Sequence, residues 1–504
     1  MQEKRSSTKP TSPDQIIEDL GGCGRFQVFM GITVHLTKTL ISFSVMSTIM
    51  LTATPPKWWC ANDKVKFNKT SCSVDANATC PEKTCFMNDT KCETFEFAGV
   101  RTLVSEFSLL CDLDYIPSTV MSLQASGMLV GSLIAGQVSD TFGRKPIYFA
   151  GILMVVVFNF VGFMSTNWIM FSVSRFFIGF GAGDFISVQH CILSEIMLAK
   201  WRPWITGFPS WPIQVCALAF ISWLIKDWRY IQLFCCLLGI PFLFTWFIIP
   251  ESFRWFVAHD RLADAKNIIE RWAKMNRKPV PELDNIMVCD DSETKESEKK
   301  YTFIHLFKSK ALTKITLLLA INWLALGMVF YAITFGIQAL SGNIYLNLFL
   351  FSLAGIPTKV VALWLQNRLG RRISNVLCFI LVAASGFIVG VVQSIDASNK
   401  EILTNVFSII ASVGINTAWG PVQTMTIEVY PTVVRNIGMG SMNVMARVGA
   451  IVGPQLVYLN AHVPGLMYYV CGVIGVLCIL SQLCLPETKD SNLYDKFKVS
   501  KDSS

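Results

Sequence analysis

Twelve apolar runs, each close to the length of a bilayer-crossing helix, follow one another along the chain, at about 26–51, 116–138, 146–165, 168–195, 203–225, 228–249, 314–335, 344–368, 372–393, 402–425, 433–458 and 464–485. A spanning helix needs about 20 mostly apolar residues. The runs come as six, an interruption, and six more. The pattern predicts an all-α, multi-spanning membrane protein built from two six-helix halves. Composition agrees: 52% of the 504 residues are hydrophobic and 15% charged, against about a quarter charged in soluble domains. The net charge of +8 is expected mainly in cytoplasmic loops, so it does not point to nucleic acid.

The polar stretches set the topology. Residues 1–25 are expected to be cytoplasmic. The first apolar run is too long for a signal sequence and lacks a small-residue cleavage site, so helix one should stay in the membrane. Residues 52–115, within the first half (26–249), carry Cys60, Cys72, Cys80, Cys85, Cys92 and Cys111, together with glycosylation sequons at Asn68, Asn77 and Asn88. Such clustering points to an oxidising, extracellular loop whose pairing the spacing leaves open. A zinc site is the alternative, weakened by the absence of histidine beside the cysteines. Residues 250–313 should form a cytoplasmic linker: Leu262, Ala265, Ile268, Ile269 and Trp272 recur at amphipathic-helix spacing, and 282–300 is charged and poor in apolar residues. The second half (314–485) then leaves the tail, 486–504, cytoplasmic as well.

The halves repeat each other. Asp140-Thr-Phe-Gly143-Arg144-Lys145 is echoed by Asn367-Arg-Leu-Gly370-Arg371-Arg372, Glu195 and Arg202 by Glu428 and Arg435, and Pro250-Glu251-Ser252 by Pro486-Glu487-Thr488. An internal repeat across a central loop is how many secondary transporters are built. No phosphate loop of the Gly-xxxx-Gly-Lys-Ser/Thr type is present, nor His-Glu-xx-His or Gly-x-Ser-x-Gly. ATP-driven pumping and enzymatic hydrolysis are therefore not expected, and neither a cofactor nor a metal is called for. A substrate-sensing receptor with transporter architecture is the alternative from another class.

These features resemble the major facilitator superfamily. The resemblance rests on Gly136-xxx-Asp140-xx-Gly143-Arg144-Lys145, its echo, and Arg175-xxx-Gly179. The cysteine loop, Val104-Ser-Glu-Phe-Ser-Leu-Leu-Cys111, Pro250-Glu-Ser-Phe-Arg-Trp255 and Tyr430-Pro-Thr-Val-Val-Arg435 are similar to the solute carrier 22 organic ion transporters. The resemblance implies polyspecific transport by alternating access in the plasma membrane. Arg447, Lys359 behind Pro357, Gly355 and Asn367 resemble the organic anion branch, which implies anion exchange against a counter-transported anion. Arginine at the helix-eleven site also occurs in the carnitine-transporting branch, so an organic cation or zwitterion is the alternative. Asp184 and Phe253 depart from the family pattern.

Ionisable side chains inside membrane helices are costly and face a cavity or a partner. Lys38 and His35 in helix one, Asp184 in helix four, Lys359 in helix eight and Arg447 in helix eleven are the candidates. Cations outnumber the acid, so a positive cavity and a carboxylate or sulfonate substrate are expected, with Arg447 able to grip it in a bidentate way. The competing reading pairs Arg447 or Lys359 with Asp184 as a structural bridge. Trp211, Phe330, Tyr331 and Trp419 align with cavity-lining aromatics of the family, and Gln423 or Gln214 could orient a ligand or join helices. Asp140, Gly143, Arg144, Arg175, Glu195, Arg202, Glu251, Arg254, Arg371, Glu428 and Arg435 are expected to form a cytoplasmic gating network with ion pairs across the two halves. Pro209, Pro212, Pro357, Pro421 and Pro454 are hinge candidates.

Overall fold

The computed structural model describes residues 13–60, 85–87, 90–92, 94–198, 201, 208–281, 303–395, 399–431 and 434–489. Asn68, Asn77, Asn88, Cys72, Cys80 and Arg202 lie outside the described residues. The first half contains α1 (Arg25–Met46, continued past Ser47 as Thr48–Leu51), α2 (Ile116–Phe142), α3 (Arg144–Phe163), α4 (Trp168–Glu195), α5 (Ser210–Ile225) and α6 (Trp228–Leu243). The second contains α7 (Lys310–Gly336), α8 (Ile344–Leu369), α9 (Arg371–Ser394), α10 (Lys400–Val429), α11 (Arg435–His462) and α12 (Leu466–Cys484).

Ten of these helices, α1 and α6 taken with their continuations, are long and apolar enough to cross a membrane. α5 has only 16 residues, though they are apolar. α11 has 28 residues but carries Arg435, Asn443, Arg447, Gln455 and Asn460, which dilute its hydropathy. Short polar side chains start several spans. Asn167, Asp227 and Asn343 accept backbone N–H groups at the beginnings of α4, α6 and α8, filling bonds that a helix start leaves open. Pro357, Pro421 and Pro454 lie inside α8, α10 and α11, as expected. Pro209 and Pro212 instead sit at the start of α5.

Small residues bring helices into backbone contact. A Cβ on Gly131 would stand 2.1 Å from the Phe180 carbonyl oxygen, and one on Gly183 2.2 Å from that of Met128. These glycines lock α2 to α4. In the second half a Cβ on Gly327 would stand 1.8 Å from the Ala446 carbonyl oxygen, and one on Gly449 2.2 Å from that of Leu324, locking α7 to α11. Without a hydrophobic drive between helices in lipid, such close approach supplies the association energy.

One end of the bundle carries the cysteine loop and the other the linker. At the loop end, β1 (Lys57–Cys60) pairs antiparallel with β4 (Phe95–Ala98), and β2 (Phe86–Met87) with β3 (Thr90–Lys91). Disulfides join Cys60 to Cys92 and Cys85 to Cys111. Trp58, Leu103, Val104, Leu109 and Leu110 pack on Leu51, Val120, Phe171 and Ile231, all of the first half. Glu106 clamps this contact. Its carboxylate accepts from Arg229 Nη2 at 2.6 Å and Trp228 Nε1 at 2.6 Å, with Arg101 at 3.3 Å. Burial pushes the Glu106 pKa up, but the Arg229 and Trp228 hydrogen bonds and the arginine charges outweigh it and hold the carboxyl below its ordinary value.

The halves join across two seams, α2 against α11 and α5 against α8. The polar joins among the described residues run from mid-membrane to the loop end. Ser122 donates to the Ile451 carbonyl and accepts from Gln455, and Gln338 donates to the Ile49 carbonyl and Thr52 Oγ1. These bonds hold the two halves together on the loop side. At the linker end the amphipathic helix Leu262–Asn276 buries Ala265, Ile269 and Trp272. Asn276 is bonded to Phe26 N, to the Leu20 carbonyl and to Gln27, which ties that helix to the start of α1.

Two outcomes follow from this packing. Gly131→Val forces a side chain into the Phe180 carbonyl and lowers the melting temperature of the purified protein by the equivalent of about 1–3 kcal/mol. Gly136→Ala, which meets nothing within 4 Å, leaves it unchanged; equal losses would refute the seam. Glu106→Gln lowers stability by about 1–3 kcal/mol. Because the carboxyl is held below its ordinary range, the pair is lost only as pH falls through that lowered value. Wild type and variant therefore differ as much at pH 5 as at pH 7 in thermal melts.

Candidate functional site

At the linker end, each half builds the same charged turn. In the first half Gly143 has φ +101°, and Arg144 and Lys145 begin α3. Glu251 accepts from Arg144 N at 2.9 Å and Lys145 N at 3.0 Å, so a carboxylate caps the positive end of the helix. The Arg144 guanidinium turns back to Asp140, to Ser139 Oγ at 2.9 Å and to Glu195 at 3.2 Å. Arg254 donates to the Glu195 carbonyl at 3.0 Å and pairs with Asp14. In the second half Gly370 has φ +89°. Glu487 accepts from Arg371 N at 2.9 Å and Arg372 N at 3.0 Å, while Arg371 pairs with Glu428 at 2.7 Å. Burial pushes the Glu487 carboxyl up, and four backbone N–H groups hold it below its ordinary value all the same. Only glycine fits at the turn: a Cβ on Gly143 or Gly370 would stand 2.4 or 2.7 Å from the capping carboxylate.

Midway through the membrane the cations converge. Lys38 of α1 and Lys359 of α8 are close enough for their charges to repel. Both bear, with His35 and Arg447, on the imidazole of His190 in α4. The backbone contact of Gly327 with Ala446 sets Arg447 beside α7, where it acts on the Tyr331 hydroxyl. Aromatic rings continue from there. Phe330 lies 5.3 Å from Tyr331 and 6.5 Å from Trp419, and Trp419 lies 5.9 Å from Trp323. On the opposite wall Lys38 sits 5.8 Å from the Trp211 ring, and Gln214 donates to the His35 carbonyl and to Thr39. Gln423, one turn beyond Trp419, is exposed. Chemically this is a positively charged stretch of the interior with aromatic rings beside it, chemistry suited to an acid group at one side and an apolar or onium group at the other.

The structure departs from the sequence reading at three points. Arg175 is not in the linker-end network: it is fully buried in the loop-side half of α4, where it donates to the Ser44 carbonyl at 2.8 Å and to Thr48 Oγ1 at 3.1 Å, beside the break in α1 at Ser47. Asp184 faces α3 rather than the cations. Its Oδ2 would meet a Cβ on Gly151 at 3.3 Å, and its Oδ1 is buried without a partner, so the bridge to Arg447 or Lys359 does not form. Among the described residues, none of these ion pairs joins the two halves: Arg144 pairs with Asp140 and Glu195, Arg254 with Asp14, and Arg371 with Glu428. Arg435 donates to the Tyr430 carbonyl of its own half. Two contributors escaped the sequence reading. His190 carries no motif that marks it. Glu487 was visible only as the partner of Glu251 in the repeat.

The family described as "Sugar (and other) transporter" matches residues 66–496. Solute carrier family 22 member 4 of Mus musculus is 30% identical over 77% of this chain and 70% of the relative. The organic cation transporter protein of Drosophila melanogaster is 30% identical over 80% and 75%. Organic cation/carnitine transporter 2 of Rattus norvegicus is 30% identical over 78% and 71%. In fold, the xylose transporter XylE from E. coli superposes with a TM-score of 0.65 at 15% identity, over 93% of this chain and 98% of that one. The chain is thus a membrane transporter of the "Sugar (and other) transporter" family, a member of the solute carrier 22 group within the major facilitator superfamily.

Proposed function

We propose that the chain is a secondary-active carrier of small organic ions in the plasma membrane, that it works by alternating access, and that carnitine-like zwitterions are its preferred cargo. The observation that carries this reading is the chamber where Lys38, Lys359 and Arg447 converge on His190 beside Trp211, Tyr331, Phe330 and Trp419. A simple organic cation entering it meets three like charges at low dielectric. A carboxylate compensates those charges, and a quaternary ammonium on the same molecule finds ring faces. The names of the relatives, organic cation and carnitine transporters, support this cargo over a pure anion. A second reading, an organic anion, draws on the same surplus of positive charge. Emptying the chamber leaves those cations uncompensated, which favours a loaded return and hence exchange.

In this reading the loop faces outside, the linker and both termini face the cytoplasm, and the structure is the inward-open state. Glu195 Oε2 and Glu428 Oε2 are each buried without a hydrogen-bond partner. Each is free to accept from the opposite half when the cytoplasmic side closes, which makes the two charged turns a gate.

Uptake of a labelled carnitine-like zwitterion, an organic anion and an organic cation, measured side by side at matched surface expression, tests the cargo. Wild type takes up the zwitterion, and Arg447→Ala and Lys359→Ala each weaken it about 10- to 100-fold, the loss of a charge-assisted hydrogen bond. Anion uptake alone would select the second reading, and cation uptake that survives both substitutions would sink both. For the gate, Arg144→Ala and Arg371→Ala lower maximal uptake several-fold with apparent affinity retained; a loss confined to affinity refutes the gating role.

A further inference from the structure

Among the described residues, one ion pair crosses between the halves: His462 Nε2 to Asp114 Oδ2 at 3.4 Å. His462 is the last residue of α11, and Asp114 lies two residues before α2 begins. These helices form one of the two seams, so the pair spans the seam at its loop-side rim. We propose that His462 and Asp114 are a latch that senses acidity on the loop side and, when protonated, holds the loop side closed. The proposal rests on the reading of the chain as an alternating-access carrier and adds a regulator to it.

The hydrogen-bond chemistry makes the latch proton-dependent. His462 Nδ1 lies 3.2 Å from the Tyr458 carbonyl oxygen. A carbonyl only accepts, so Nδ1 must carry a proton to bond it. In the neutral ring Nε2 then holds a lone pair, and that lone pair faces a carboxylate, which also only accepts. Protonation turns Nε2 into a donor and completes both contacts at once. The Tyr458 ring, 4.7 Å from the imidazole, packs against it.

The charged and titratable groups around the pair come from four elements. The stretch before α2 brings Asp112, Asp114 and Tyr115. The adjoining end of α7, through Ala339, brings no acid or base, and the start of α12 brings only the phenols Tyr468 and Tyr469. α10 brings Lys400 and Glu401 to the same end of the bundle, in the half that holds His462. Opening the loop side parts α11 from α2 and breaks the pair, so proton binding and closure are linked. His462 and Asp114 are 49% and 36% exposed, which suits a sensor in contact with the medium. It also limits the effect to about two- to fivefold in the ratio of closed to open molecules, the scale of an exposed ion pair.

The test is a distance measurement that needs no cargo. Spin labels carried on non-natural amino acids at positions 230 and 395 sit at the loop-side ends of α6 and α9, in opposite halves and away from the latch. The purified full chain in nanodiscs is measured at pH 5.5 and pH 8. The expected result is a two- to fivefold rise of the short-distance population at pH 5.5 in wild type. His462→Gln and Asp114→Asn abolish that rise, and His462→Arg holds the short distance at both pH values, which also shows that the site tolerates substitution. Two populations whose ratio ignores pH, or follows it equally in the variants, overturn the latch alone. A single population under every condition overturns the latch together with the carrier reading.

Discussion

A helix that begins with two basic residues at a membrane boundary sets a local problem: its unpaired N–H groups and its side chains are all positive. Glu251 and Glu487 solve it in the two halves, each accepting consecutive backbone N–H groups behind a glycine of positive φ. Much else at this end depends on that arrangement. With the backbone satisfied by one carboxylate, the arginine side chain is released to reach a second, Glu195 or Glu428, on the helix that runs alongside. Three elements of each half are thereby held at one point, and the same device appears twice because the two halves share an ancestral pattern.

The chamber obeys a different economy. Two of its cations stand beside close helix approaches: Arg447 next to the contact of Gly327 with Ala446, and Lys359 one turn from Gly355, where an added Cβ would stand 3.5 Å from Pro212. Positive charge held apart from acids in a low-dielectric interior is unstable until something negative arrives. In the proposed reading, a carboxylate on the cargo supplies the missing negative charge.

Much of this was legible in the residues. Lengths of apolar runs revealed the twelve helices, and the spaced repeat of Gly143 with Gly370, Glu195 with Glu428 and Glu251 with Glu487 revealed the twofold plan. Lys38, Lys359 and Arg447 stood out because hydrocarbon tolerates few charges. What sequence withheld was direction. Arg175 and Asp184 occupy the same helix nine residues apart, and spacing alone does not say that one turns to the break in α1 and the other to Gly151 of α3. His190 was passed over for the converse reason, since a single imidazole gains its meaning only from the side chains whose charges reach it, Lys38, His35, Arg447 and Lys359. The direction of opening likewise belongs to the conformation, not to the composition.

Among the described residues, the cysteine loop is fastened mainly to the first half, and only its two ends, Thr52 and Asp114, reach the second, at Gln338 and His462. Its disulfides, its apolar underside and the Glu106 clamp all engage elements of the first half. Seen mechanically, the weight of the loop rests on the first half, and its grip on the second is confined to two points at its ends. A change made on the far surface of that loop therefore meets the first half before anything else, and reaches the second only through those two ends.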